Sequence, residues 1–200
     1  MQKYIALFGG AFDPPHLGHL TAIRQIFDAK RFDGVWVVPS GMRPDKQSHA
    51  SPQDRLAMTR LLVKHGFDTH EPVFVKTHLV DAPDSYPFTI QELEYLKTQH
   101  PNTAFTVAIG SDQAQALHQW HNPEKLCALA DILVIVRDGR PTTISFPCNT
   151  TILDPKDNIW LNISSTELRW RIAHEKPIFG LTLLPIAEFI DNKKLYTKEA

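Results

Sequence analysis

Apolar residues along this chain fall into two alternating rhythms, short unbroken runs and longer segments where they recur every three or four positions. The run Tyr4-Ile5-Ala6-Leu7-Phe8 reads as a buried strand, and Leu20-Thr21-Ala22-Ile23-Arg24-Gln25-Ile26-Phe27 reads as a helix. Gly34-Val35-Trp36-Val37-Val38 is a second strand, stopped by Pro39-Ser40-Gly41. Residues 53–64 carry Leu56, Ala57, Leu61 and Leu62 at helical spacing, and Ser51-Pro52 suits a helix start. Val73-Phe74-Val75 makes a third strand, residues 88–99 a helix through Ile90, Leu93, Tyr95 and Leu96, Phe105-Thr106-Val107-Ala108-Ile109 a fourth strand and Ile132-Leu133-Val134-Ile135-Val136 a fifth. Apolar strands alternating with amphipathic helices imply parallel βαβ units, hence an α/β protein with a doubly wound parallel sheet covered on both faces. In that architecture ligands bind at the carboxyl ends of the strands.

Residues 137–161 are rich in Pro, Thr and Asn and end in Ile159-Trp160-Leu161, which reads as a loop with one more strand. The tail over residues 185–195 returns to helical spacing through Ile186, Phe189 and Ile190, and Lys193-Lys194 suit the last turn of a helix dipole. No composition shift divides the chain, and 200 residues with 42% hydrophobic content support one core, so residues 1–200 are expected to form a single domain. With 21 Lys plus Arg against 22 Asp plus Glu, the net charge of −1 gives no broad surface for nucleic acid or membrane, and any cationic function is local. Cys127 and Cys148 lack paired ligand spacing, which argues against a disulfide framework or a structural zinc site. No uncharged apolar stretch is long enough for a signal peptide or membrane span, and a reducing, cytoplasmic location is expected.

The chemistry concentrates in Gly9-Gly10-Ala11-Phe12-Asp13-Pro14-Pro15-His16-Leu17-Gly18-His19, at a strand-to-helix turn. Glycines let a backbone approach a ligand closely, and the N–H groups and positive dipole end of a helix favour anionic oxygens. Two histidines three residues apart share one face of the helix start, where they can donate charge-assisted hydrogen bonds to one phosphate. The run resembles the Gly-Gly-x-Phe-Asp-Pro-x-His-x-Gly-His signature of the nucleotidyltransferase superfamily that contains the nicotinate-nucleotide adenylyltransferases, and the resemblance implies a Rossmann-like nucleotidyltransferase fold.

A second stretch, Ile163-Ser164-Ser165-Thr166-Glu167-Leu168-Arg169, has a capping-box pattern from Ser164 to Glu167, so another helix is expected to begin there. It resembles the family's Ile-Ser-[Ser/Ala]-Thr-x-x-Arg motif, in which serine, helix terminus and arginine hold the ATP phosphates; the guanidinium fork of Arg169 suits phosphate oxygens. The resemblance extends to Val38-Pro39-Ser40-Gly41 through Lys46, to Ile109-Gly110-Ser111-Asp112, to Leu117-His118-Gln119-Trp120, whose tryptophan stacks on a pyridine ring in the family, to Val136-Arg137-Asp138-Gly139, and to the tail ending in Leu195-Tyr196. Two departures stand out. Arg43-Pro44-Asp45-Lys46 replaces the family's Pro-Pro-His-Lys, so Asp45 must point away, pair with Arg43 or Lys46, or meet the magnesium. Ser85-Tyr86-Pro87-Phe88-Thr89 replaces a Ser-Tyr-Thr loop that grips the nicotinate carboxylate, and Pro87 offers neither hydroxyl nor N–H.

The resemblance implies an enzyme that transfers AMP from ATP to nicotinate mononucleotide, with magnesium arriving bound to ATP. It assigns His16, His19, Lys46 and Arg169 to the phosphates as catalytic residues. Gly9, Gly10, Phe12, Gly110, Asp112, Ser164 and Ser165 would bind ATP, and Ser85, Tyr86 and Trp120 the mononucleotide. Alternatives stay open: a transferase acting on nicotinamide mononucleotide or another small phosphate, or a catalytically silent nucleotide sensor. Phosphopantetheine enzymes carry Thr-x-Gly-His in place of His16-Leu17-Gly18-His19, which disfavours them. Self-association into a homo-oligomer also stays open.

Overall fold

In the computed structural model, which describes residues 1–41, 48–82, 84–136, 147–153 and 161–197, the strands are β1 (Lys3–Gly10), β2 (Gly34–Pro39), β3 (Val73–Val75), β4 (Thr103–Gly110), β5 (Asp131–Ile135) and β6 (Thr150–Ile152). Among the described residues they form one sheet in the order β3-β2-β1-β4-β5-β6, with every neighbouring pair parallel. The helices are α1 (Leu17–Asp28), α2 (Pro52–Gly66), α3 (His78–Asp81), α4 (Thr89–Gln99), α5 (Ser111–Gln115), α6 (Pro123–Leu129), α7 (Ser165–Ala173) and α8 (Leu184–Asn192), with a 3₁₀ turn at Leu117–Gln119. None of the described helices is long and apolar enough to cross a membrane.

Successive side chains of β1 feed two separate cores. Ala6 and Phe8 pack with Ile23 and Ile26 of α1 and Met58 and Leu62 of α2. Ile5 and Leu7 pack with Leu93 and Leu96 of α4 and with Leu117 and Leu126 on the opposite face. Each fully buried side chain of this size contributes about 1.5–3 kcal/mol relative to exposure. Because helices cover both faces, the strands read as unbroken apolar runs.

The chain departs from the sequence expectations in three places. The extra strand lies at Thr150–Ile152, paired Ile132↔Thr150 to Val134↔Ile152, rather than at Ile159-Trp160-Leu161, where residues 154–160 lie outside the described residues and Leu161 has no regular structure. β-Branched Thr150, Thr151 and Ile152 suit a half-exposed edge strand, which a search for apolar runs passes over. The short helices α3, α5 and α6 are too brief to show a period. Finally, Cys127 and Cys148 form a disulfide with their Cα atoms 5.0 Å apart. The parallel pairing of β6 on β5 brings the segment before β6 beside the end of α6, a proximity invisible in a sequence separation of 21.

The register pairs Gly10 with Pro39 and Gly110 with Ile135, so β1, β2, β4 and β5 end along one edge of the sheet. Connections leave β1 toward β2 on one side and reach β4 on the other. The first motif thus sits at the point where the strand order reverses, the usual crevice for a ligand.

Candidate active site

The turn after β1 is organised around Phe12. Gly9 and Gly10 end the strand in extended backbone, and the left-handed conformation falls on Phe12 at φ 50°. Phe12 is buried with its ring edge-on to Phe8 at 6.0 Å. A Cβ on Gly10 would lie 3.2 Å from the Phe12 ring, so this glycine makes room for an internal side chain as much as for a ligand. His16 is the N-cap of α1 with extended backbone (φ −144°, ψ 173°), and its ring centroid lies 3.8 Å from that of His19. The His16 backbone N–H donates to His19 Nδ1 at 3.2 Å. That bond leaves the His19 ring proton on Nε2, the tautomer required of a donor to phosphate. A Cβ on Gly18 would fall 3.0 Å from the His16 ring, so the glycine between the two histidines is what lets them lie together.

The Asp-Pro-Pro segment cannot satisfy itself, because proline has no N–H and its carbonyls must find donors elsewhere. Each carbonyl has one. Arg169 Nη1 donates to Asp13 O at 2.6 Å, Ser165 Oγ to Pro14 O at 2.8 Å and Thr182 Oγ1 to Pro15 O at 2.9 Å. Arg55 Nη1 reaches Ala11 O at 2.8 Å and Arg55 Nη2 reaches Gly41 O at 3.1 Å. The Asp13 carboxylate accepts from His49 N at 2.7 Å, Ala50 N at 3.1 Å and Tyr196 Oη at 2.8 Å.

Arg55 and Thr182 are site-building residues that sequence reasoning did not single out, Tyr196 stood there only as part of the tail resemblance with no role given, and Arg55 left a signal. It shares the spacing i, i+3, i+4, i+7 with Met58, Thr59 and Leu62, all completely buried, so a cation occupies the core-facing stripe of α2. Burial pushes its guanidinium pKa below the ordinary value, and the charge of Asp13 opposes that shift. The Tyr196 phenol is pushed far up, first by burial and then by the Asp13 charge and hydrogen bond, which keeps it a donor.

The second motif reaches the first across 156 residues. Ser164 caps α7, accepting from Glu167 N at 3.1 Å as its capping pattern predicts. Arg169 also donates to Thr166 Oγ1 at 3.2 Å, which fixes the guanidinium beside the Asp13 carbonyl. A narrow cleft between α1 and the end of β5 is lined by His16, Thr21, Gln25, Ile135, Val136 and Ile163.

Residues 7–171 match the cytidylyltransferase-like family. The chain belongs to that family. It is 32% identical over 193 residues to a probable nicotinate-nucleotide adenylyltransferase of Exiguobacterium sibiricum, covering 96% of this chain and 98% of the relative. A probable nicotinate-nucleotide adenylyltransferase of Halalkalibacterium halodurans is 31% identical over 197 residues, covering 98% and 92%. In fold it resembles the Plasmodium falciparum nicotinic acid mononucleotide adenylyltransferase complexed with NaAD, at TM-score 0.81 and 24% identity over 97% of both chains.

The remaining expected site residues lie at the end of β4, on α5 and on the sheet face covered by α4 and α6. Gly110 ends β4, and Asp112 is exposed on α5 with its carboxylate taken by Gln113 at 3.3 Å. Ser85 is exposed, while Tyr86 stacks on Tyr95 at 4.7 Å and Phe88 lies flat on His121 at 4.3 Å. Tyr86, Phe88 and Trp120 all pack half-buried against the core shared by α4 and α6, so the loop before α4 and the segment after the 3₁₀ turn meet there. Lys46, Arg43 and Asp45 lie outside the described residues, as do Arg137, Asp138 and Gly139.

Proposed function

We propose that the chain, read as one nucleotidyltransferase domain, transfers AMP from ATP to nicotinate mononucleotide, yielding nicotinate adenine dinucleotide and pyrophosphate. The observation that carries this reading is the docking of Ser165 and Arg169 onto the carbonyls just before the His16–His19 pair, at the strand edge where parallel α/β sheets bind ligands. A phosphate oxygen of the mononucleotide attacks the α-phosphorus in line, a new P–O bond forms, and the bond from the α-phosphorus to its bridging oxygen breaks as pyrophosphate departs. No enzyme nucleophile is needed, so the protein positions the reactants and stabilises charge. His19, donor at Nε2, and His16 hold the phosphates where charge develops; Arg169 and Lys46 neutralise the triphosphate. Gly9, Gly10, Phe12, Gly110, Asp112, Ser164 and Ser165 shape the ATP side, and Ser85, Tyr86 and Trp120 the acceptor side.

Among the described residues no three His, Cys, Asp or Glu side chains come together as a metal cage. Magnesium enters this reading on the triphosphate, where it keeps substrate and water oxygens as ligands and offsets phosphate charge. Incubation with ATP, Mg²⁺ and equal amounts of nicotinate and nicotinamide mononucleotides, with products identified by mass, tests the assignment. Faster consumption of the acid is expected. Faster consumption of the amide would move the acceptor assignment and leave adenylyl transfer standing; the lost hydroxyl at Pro87 is the specific reason to include it, and Pro87→Thr is then expected to shift the ratio back toward the acid. Absence of any dinucleotide would overturn the enzyme reading.

A further inference from the structure

We propose that His78, through its buried hydrogen bond to Glu92, is a positioning residue that holds the acceptor loop in its binding shape. The proposal rests on the reading above that Ser85 and Tyr86 face the mononucleotide. That loop runs between α3 and α4, and α3 has only four residues, far too few to be stable by its own backbone bonds. Leu79 and Val80 anchor that short helix in the core, and a polar tie joins it to α4. His78 opens α3, and its Nε2 lies 3.0 Å from Glu92 Oε1 in the first turn of α4, with the two side chains only 14% and 10% exposed. The bond ties the two stems of the loop together across 14 residues.

The tie continues to the loop itself. The His78 ring lies 5.9 Å from that of Tyr95, and Tyr95 stacks on Tyr86 at 4.7 Å and 28°. The orientation of Tyr86 therefore depends on Tyr95, which is flanked by the imidazole that Glu92 holds. At its second stem the loop is held by Phe88, whose O accepts from Gln91 N at 3.0 Å and Glu92 N at 3.2 Å and whose N–H reaches the Gln91 side chain at 3.4 Å; ahead of it the described backbone support is Ser85 N to Ala82 O at 3.1 Å. Pro87, which has no N–H, adds nothing to it. The loop takes its shape from its stems and from two stacked rings, Tyr86 on Tyr95 and Phe88 on His121, and only the first of these leans on His78, so cutting the stem bond widens the range of positions Tyr86 samples. The acceptor then binds only to a fraction of the population, which weakens its apparent affinity without touching the phosphate cradle on α1 and α7.

The test is steady-state kinetics with each substrate varied in turn. His78→Ala is expected to raise KM for the mononucleotide about ten-fold, the size of one lost charge-assisted hydrogen bond, with KM for ATP changed less than two-fold. His78→Gln keeps an N–H donor for Glu92 and is expected to recover part of the loss, while Glu92→Gln, nearly isosteric, gives a smaller rise in the same KM and keeps the question answerable if His78→Ala fails to fold. An unchanged acceptor KM in the folded variants overturns the proposal, as does an equal rise in both KM values, which would mark a general structural role. Failure of the underlying reading is separately visible: the unsubstituted protein would then adenylylate no pyridine mononucleotide at all.

Discussion

Tyr196→Phe removes one oxygen from the chain's last described turn and is expected to weaken the turn at Asp13, 183 residues away, where phosphate binding is proposed. The phenol donates to Asp13 Oδ1 at 2.8 Å, and the same carboxylate holds the His49 and Ala50 amides. A hydrogen bond to a charged group is worth about 1.5–3 kcal/mol. Phenylalanine keeps the packing and leaves Asp13 two amide donors, so the loss falls near the lower end, about 1.5 kcal/mol. For a chain of this length that lowers Tm by about 3–6 °C. Asp13→Ala removes the acceptor from all three donors and is expected to cost about 3–5 kcal/mol, because amide and phenol groups are stranded without partners. Urea titrations of the two single variants and the double variant give the coupling between the residues directly. The pH dependence supplies an independent sign. A phenol whose folded pKa is raised stabilises the fold fully below the unfolded value near 10 and loses that contribution as pH rises above it, because the unfolded chain can then ionise. The difference between the unsubstituted protein and Tyr196→Phe should accordingly shrink above about pH 10. A cost under about 0.5 kcal/mol, or additive losses in the double variant, would refute the reasoning.

His19→Ala is expected to lower turnover by about 10²–10³ with little change in ATP affinity, since its donor acts where charge develops; near-normal kcat in stopped assays would remove that role. Arg169→Lys keeps charge but cannot hold the Asp13 carbonyl, the Thr166 hydroxyl and a phosphate with one fork, so weaker ATP binding by calorimetry is expected, and unchanged affinity would take Arg169 out of the phosphate site. Burial, then the nearby charges of Lys76 and His78, hold the His100 pKa below its ordinary 6.5. A lowered histidine favours the fold when neutral, so stability should drop as pH falls below about 6.5 and His100→Gln should flatten that slope in urea titrations; an identical slope would show that His100 does not contribute.

The parts legible in the sequence were those with local causes. Strands buried on both faces announce themselves as apolar runs, and the Ser164 cap forms with the bond its spacing predicts. The two motifs were legible as chemistry but not as a contact, because nothing local says that Arg169 reaches Asp13. Gly18 shows the opposite limit: its function is to leave space for the His16 ring, a reason that exists only once the helix has formed. Arg55 could have been found, since a cation on the buried stripe of an amphipathic helix demands a partner. The partners themselves, the carbonyls of Ala11 and Gly41, needed the fold. The Cys127–Cys148 pairing likewise follows from which strand lies beside which.

The wiring of residues 11–15 ties residues 165–196 to the proposed active site. Two consecutive prolines turn the chain sharply into α1, and they leave three carbonyls, from Asp13, Pro14 and Pro15, that no backbone ladder can satisfy. All three are met by side chains from the last 36 residues of the sequence, Arg169, Ser165 and Thr182, and Tyr196 then locks the carboxylate that precedes them. The His16–His19 pair follows directly, so its placement depends on donors contributed by α7 and the segments around α8. A substitution at Thr182 or Tyr196 thus acts on the same turn as one at Arg169, and the tail shapes the proposed phosphate cradle as directly as the glycines that lead into it.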